Sequence, residues 1–498
     1  MALLMENAGL ALSGTVVGAL LNHAPELAAL GEAAHAAPYK APPKAPVLAV
    51  YPPHTLAGDH AEVVVPTGVV GLHIGASLAI VIGQTACRVP RSQALAHVAG
   101  YTTALDIHQP LASHYRPAVR QRARDGFCPM GPAVVPASAV PQPDALAVQV
   151  WVDGTLVQAT DTAQRLRDVA QLIADVSDFM TLQPGDVLLL GASADAPLAQ
   201  AGQGVRVQIE GLPALHCQLV PEGHSRARPE CAPLITHAPV TARVAYGGAL
   251  HTATPHPQGL QLDDGRVLAE TQVQWLPPFD VGTIIALGLN YADHVKELSK
   301  ELTVTSQDEP LVFFKTGSSV IGHRGHMRRP AGVGFMHYEC ELAVVIGRTA
   351  HRVRAADALA HVAGYTVCND YAVRDYLENW YRPNLRVKNR DGGTVLGPWL
   401  VAASAVADPH SLALRTLVNG QVTQQGSTSK LINNVPALIE YLSSFMTLQP
   451  GDVILTGTPE GVVNVNAGDE VITEIDGIGR LVNTIASDAD FGRQPTQP

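Results

Sequence analysis

The nine residues ALAHVAGYT occur twice in this 498-residue chain, at 94–102 and again at 358–366. A second identical pair, FMTLQPGDV, stands at 179–187 and 445–453. HYRPAVRQRARDG (114–126) answers WYRPNLRVKNRDG (380–392), and GTVVGALLNH (14–23) answers GTIIALGLNY (282–291), at separations that stay near 264 to 268 residues. Self-similarity at so long a period marks a duplicated domain, because solenoid repeats run to roughly 20–50 residues. Whatever one copy folds into, the chain must fold into twice. The length alone suggests two to four domains, and the repeat divides it into a first copy over 1–221 and a second over 281–498. Between them, 222–240 reads as a linker rich in Pro, Gly and His, and 241–280 as a small β appendage of the second copy.

Each copy reads as mixed α+β and β-rich. Short runs such as LAVVIG, AGYTV and DVILTG alternate with turn residues, and the chain holds 44 Gly and 37 Pro. NNVPALIEYLSSFM (433–446) carries the apolar spacing of a helix. Charged residues make up only 15% of the chain, and the formal net charge of −11 argues against nucleic acid or an anionic membrane as partner. An anionic substrate would therefore need a local cluster of positive charge. Cys87, Cys128, Cys217, Cys231, Cys340 and Cys368 are scattered without a CxxC pair, which points to reduced thiols and a cytoplasmic address. The apolar N-terminal stretch is interrupted by Glu6, and no Lys or Arg precedes it as in a secretory signal. No apolar run reaches roughly 18 residues, so no membrane span is expected.

The copies differ most tellingly where HIGASL (73–78) meets HYECEL (337–342): Gly75 and Ser77 stand where the second copy has Glu339 and Glu341. Residues i and i+2 of a strand share a face, so these carboxylates would project together. Adjacent like charges need a proton or cation between them, and a pair or trio of carboxylates suits Mg²⁺. Asp370 is a third candidate ligand. The plainer alternative is a solvated strand face with two ordinary glutamates. The densest positive segment is Arg374, Arg382, Arg386, Lys388 and Arg390; arginine suits bidentate recognition of carboxylates, with Arg374 and Arg386 the leading candidates and structural ion pairs the alternative.

GLNYADHVKEL (288–298), HYECEL (337–342), GYTVCNDYAVRD (364–375), LRVKNRDG (385–392) and LTGTPEGV (455–462) resemble, in order, the signatures of the fumarylacetoacetate hydrolase family. The resemblance implies a tandem duplication of that family's β-roll domain, with a divalent cation held by Glu339, Glu341 and Asp370. Mg²⁺ is expected, with Mn²⁺ or Ca²⁺ possible. Lys388 matches the family's active-site lysine. His294 and Glu297, three apart in one helical turn, resemble its general acid/base dyad, although such a pair alone is commonly a surface contact. Thr458 is placed to bind a substrate carboxylate through its hydroxyl and adjacent backbone N–H, or else merely closes a turn. The implied substrates are small di- and tricarboxylates of the 2-oxo or 2-hydroxydienoic class. The implied chemistry belongs to 4-hydroxyphenylacetate (homoprotocatechuate) breakdown: decarboxylation of 5-oxopent-3-ene-1,2,5-tricarboxylate to 2-hydroxyhepta-2,4-diene-1,7-dioate, then isomerisation to 2-oxohept-3-ene-1,7-dioate, through a metal-bound enolate. A hydrolase of acylpyruvate or fumarylacetoacetate type, an oxaloacetate decarboxylase and a non-catalytic metal-binding protein are the alternatives.

The first copy keeps Asp106 at the place of Asp370 and has Arg122 for Lys388. It has Glu26 and Ala29 for the dyad, and Ala192 and Ser193 for Thr458 and its neighbour. A lone aspartate does not hold Mg²⁺ tightly in water. Two readings follow: a scaffold supplying an intrachain repeat–repeat interface, or a metal-free site in which Lys40, Lys44, Arg116, Arg122 and Arg124 hold a carboxylate-rich substrate. The scaffold is the expectation, with the chain a monomer or a higher homo-oligomer.

Overall fold

In a computed structural model of the chain, residues 14–223, 239–293, 309–488 and 490 are described. They form two compact units. Unit 1 comprises Met1–Glu230 with Glu378–Leu385, and unit 2 comprises Cys231–Leu377 with Arg386–Pro498.

The main sheet of unit 1 runs in the order Val47–Tyr51, Val16–Leu20, Val187–Leu189, Leu72–Ile82, Val98–His108 and Val135–Pro136. It is mixed: Val16–Leu20 lies parallel to Val187–Leu189 and antiparallel to Val47–Tyr51. LHIGASLAIVI is buried on both faces almost throughout, which explains why its sequence is a continuous apolar run without alternation. A second sheet of five strands ends on Ala61–Val65. Helix Val169–Ser177 buries Val169, Leu172, Ile173 and Val176, and its first turn is capped by Asp168, which accepts from the Gln171 N–H at 2.8 Å.

Unit 2 repeats this plan in the same register. Val16 faces Val187 and Tyr51 in unit 1, as Ile284 faces Val453 and Lys315 in unit 2. Its main sheet has twelve strands, because the hairpins of the appendage join through Val240–Tyr246, whose Val240 and Thr241 face Val401 and Leu400. The helix expected over 433–446 spans Val435–Ser443. It starts late because the Asn434 side chain accepts the Ala437 N–H, which takes Asn434 out of the helix as its cap, and Ser444 closes the other end.

Residues 378–385 lie within the second repeat in sequence yet belong to unit 1. Trp380 stacks on Tyr39 with ring centroids 3.9 Å apart, and its indole N–H donates to the Ala41 carbonyl at 2.8 Å. The backbone N–H groups of Tyr381 and Arg382 donate to the carbonyls of His114 and Tyr115. Two large aromatic side chains thereby lose nearly all contact with water, which sequence proximity to 386–392 does not reveal.

No helix among the described residues is long and apolar enough to cross a membrane. The five described cysteines are free.

Candidate metal centre

Strand Cys340–Ile346 is held between Val362–Asp370 and Val453–Leu455. This pairing brings Glu339, Glu341 and Asp370 together, each offering a carboxylate oxygen within 4.8 Å of the others. Glu341 and Asp370 are fully buried. The Lys388 ammonium lies 2.7 Å from both Glu339 Oε2 and Asp370 Oδ2. The other oxygen of Asp370 accepts from Lys315 Nζ, which also donates to the Gly393 carbonyl at 3.2 Å. Glu341 Oε2 accepts the Gly457 N–H at 2.6 Å. Gly457 has φ of +89° and packs against Asn290, so a side chain there would strain the turn that aims this N–H.

Three carboxylates meeting two lysines leave negative charge in a dry place. Burial pushes the Glu341 carboxyl well above its usual range, and the neighbouring Asp370 and Glu339 push it further. Burial works the same way on Glu339, but Lys388 and His337 outweigh it and hold that carboxyl down to about 2. One acidic group is thus ionised and another strained toward a proton, the condition that a divalent cation relieves. An all-oxygen donor set fits a hard cation of the Mg²⁺, Mn²⁺ or Ca²⁺ kind. Two other groupings, Asp59 with His60 and His216, and His251 with Asp263 and Asp264, contain exposed members and lack this buried geometry.

The remaining expected residues are placed differently. Arg374 Nε donates to His337 Nε2 at 2.9 Å, while His337 Nδ1 donates to the Tyr338 carbonyl, which fixes a neutral tautomer. Burial keeps that imidazole at about 4 despite the nearby Glu339. The Arg386 guanidinium lies 4.1 Å over the Tyr376 ring. Thr458 is buried and its hydroxyl accepts from Gln424 Nε2 at 2.9 Å. His294 and Glu297 lie outside the described residues. Sequence reasoning missed Lys315 and His337. A lysine closing the apolar strand LVFFK was the available sign of the first, and the opening letter of HYECEL that of the second.

Unit 1 reproduces the frame with only one of the three carboxylates, Asp106. Asp106 pairs with buried Arg122, and Tyr51 occupies the register position of Lys315. Ser77 Oγ accepts the Gly191 N–H at 3.0 Å, the counterpart of the bond from Gly457 to Glu341.

A duplicated β-rich domain with a buried carboxylate trio defines a class. The fumarylacetoacetate (FAA) hydrolase C-terminal family matches over residues 15–220 and 283–486, and the chain belongs to this family. At 43% identity over 474 residues, it is similar to a 4-hydroxyphenylacetate degradation bifunctional isomerase/decarboxylase of Salmonella dublin; the match covers 95% of this chain and 98% of that one. The protein of the same name from Escherichia coli is 43% identical over 96% of this chain and 99% of its own. A solved structure of a 5-carboxymethyl-2-hydroxymuconate delta-isomerase from Mycobacterium smegmatis is 36% identical, covering 50% of this chain and 99% of its own, with a TM-score of 0.44.

Proposed function

We propose that the chain is a divalent-metal-dependent, bifunctional decarboxylase and isomerase of 4-hydroxyphenylacetate (homoprotocatechuate) breakdown. In this reading it takes 5-oxopent-3-ene-1,2,5-tricarboxylate to 2-hydroxyhepta-2,4-diene-1,7-dioate and then to 2-oxohept-3-ene-1,7-dioate. The observation that carries it is the buried trio Glu339, Glu341 and Asp370 in a chain similar along nearly its full length to proteins so named.

The trio would hold the cation, with Mg²⁺ the proposed ion. A bound divalent cation supplies positive charge to an oxygen on which charge develops. Lys388 keeps Glu339 ionised and lies between it and Asp370, while Lys315 fixes the far side of Asp370, so the ligands stand ready in one geometry. Arg374, oriented by neutral His337, and Arg386, lying over Tyr376, would bind substrate carboxylates remote from the reacting carbon, with Thr458 beside the Gly457 turn as a further contact. Loss of CO₂ breaks one C–C bond and leaves its electron pair delocalised through the enone. The isomerisation takes a proton from the enol oxygen and returns one to carbon. His294 backed by Glu297 is the proposed carrier.

The test is to incubate the purified protein and Mg²⁺ with the tricarboxylate and follow CO₂ and dienol absorbance. CO₂ release followed by decay of the dienol is expected. Pyruvate release would identify a C–C hydrolase instead, and absence of all turnover a binding protein.

A further inference from the structure

Unit 1 keeps the frame of the metal centre and adds arginines to it. In unit 2 the residue bridged to Tyr291 is Leu431; in unit 1 the residue bridged to His23 at the same place is Arg165. A cation therefore stands where the metal-binding copy has an apolar side chain. Arg165 Nη2 donates to Ser193 Oγ at 3.1 Å, but its Nε and Nη1 are buried without an acceptor. His23 is 6% exposed, and its Nδ1 accepts the Ala194 N–H at 2.9 Å. Burial, with Arg165 adding to it, keeps this imidazole neutral, so its proton sits on Nε2, and Nε2 is likewise buried with no partner.

Three donor nitrogens on two adjoining residues thus lack an acceptor, whereas buried donors in folded proteins are nearly always satisfied. Burial pushes the Arg165 guanidinium down to about 10, with Asp161 and Glu26 only partly opposing it. Glu26, from helix Ala24–Ala29, lies in the combined field of Arg122, Asp106, Arg165 and Asp195, and burial raises its carboxyl to about 7. Near neutral pH it is therefore partly protonated and able to donate as well. Donors without acceptors define a place for an anion.

We propose that unit 1 holds a second, metal-free site for a small dicarboxylate, one carboxylate of which is taken by Arg165 and the Nε2–H of His23. The choice of dicarboxylate rests on the reading of the chain as an enzyme of di- and tricarboxylates. The anion site itself rests on the unmet donors. With this site, the first copy is more than a scaffold.

The test uses the full chain stripped with EDTA and heptanedioate as a stable seven-carbon probe, titrated calorimetrically. One equivalent is expected to bind without metal, and Glu341→Gln should leave that binding intact. Arg165→Leu, which installs the residue that unit 2 tolerates at this place, should weaken it at least tenfold, as roughly one charge-assisted hydrogen bond is worth. Arg165→Lys should fall between. No binding to the stripped protein, or equal binding by Arg165→Leu, overturns the proposal. The decarboxylase reading is judged separately, by CO₂ release from the metal-loaded protein.

Discussion

Lys315 shows how much of the candidate metal centre depends on residues outside the carboxylate trio. Its ammonium is fully buried against Asp370, so Lys315→Met removes one of the two ammonium groups on that carboxylate, leaves the buried Oδ1 without its donor and keeps the pair with Lys388. The expected loss is about 1–3 kcal/mol of stability. A saturating divalent cation should return a good part of it, read as a larger metal-induced rise in Tm than wild type shows. pH acts on unit 1 through burial. His108 and His114 are held at about 4 chiefly by burial, with Arg122 adding to it. The unfolded chain binds protons at these histidines below about 6.5 and the folded chain does not, so stability falls as pH drops from 6.5 towards 4. Glu26 works the other way: its folded value near 7 lies above the unfolded one, so its contribution is present at low pH and lost as pH rises through 7. Glu26→Gln should therefore make the acid decline steeper, measured as Tm between pH 7 and 4.5. The contrast of Glu339 and Glu341 with Gly75 and Ser77 was visible in the sequence because the repeat supplies its own internal comparison. Arg165 was not, since its meaning depends on a bridge to His23 more than a hundred residues away.

The elements were legible where local chemistry decides them. Helix Val435–Ser443 follows from apolar positions three and four apart, and its limits from Asn434 as cap. Asn434→Ala should cost about 1 kcal/mol in denaturant unfolding and leave turnover unchanged, because the cap satisfies a single first-turn N–H away from the carboxylates. The central strands were harder to assign to faces. CELAVVI is buried at every position, so no alternation marks which residues meet the ligands, and only its pairing with Val362–Asp370 sets Glu341 beside Asp370.

For the whole molecule, the duplication constrained the fold before any motif was read, and the two main sheets share one register. What the repeat could not disclose is that unit 1 is completed by 378–385. Trp380→Ala should destabilise unit 1 by about 3–5 kcal/mol, seen as an earlier transition in thermal unfolding, because the indole is 1% exposed and stacked on Tyr39. The two copies also differ in what they bury: a trio of carboxylates in unit 2, and unmet N–H donors on Arg165 and His23 in unit 1. That division is the central claim, and CO₂ release from the tricarboxylate during titration of EDTA-stripped protein with Mn²⁺ tests it most directly. No release from the stripped protein is expected, and a rate that saturates at one equivalent of Mn²⁺ per chain; full release without metal, or saturation only at two equivalents, would contradict a single metal-binding copy.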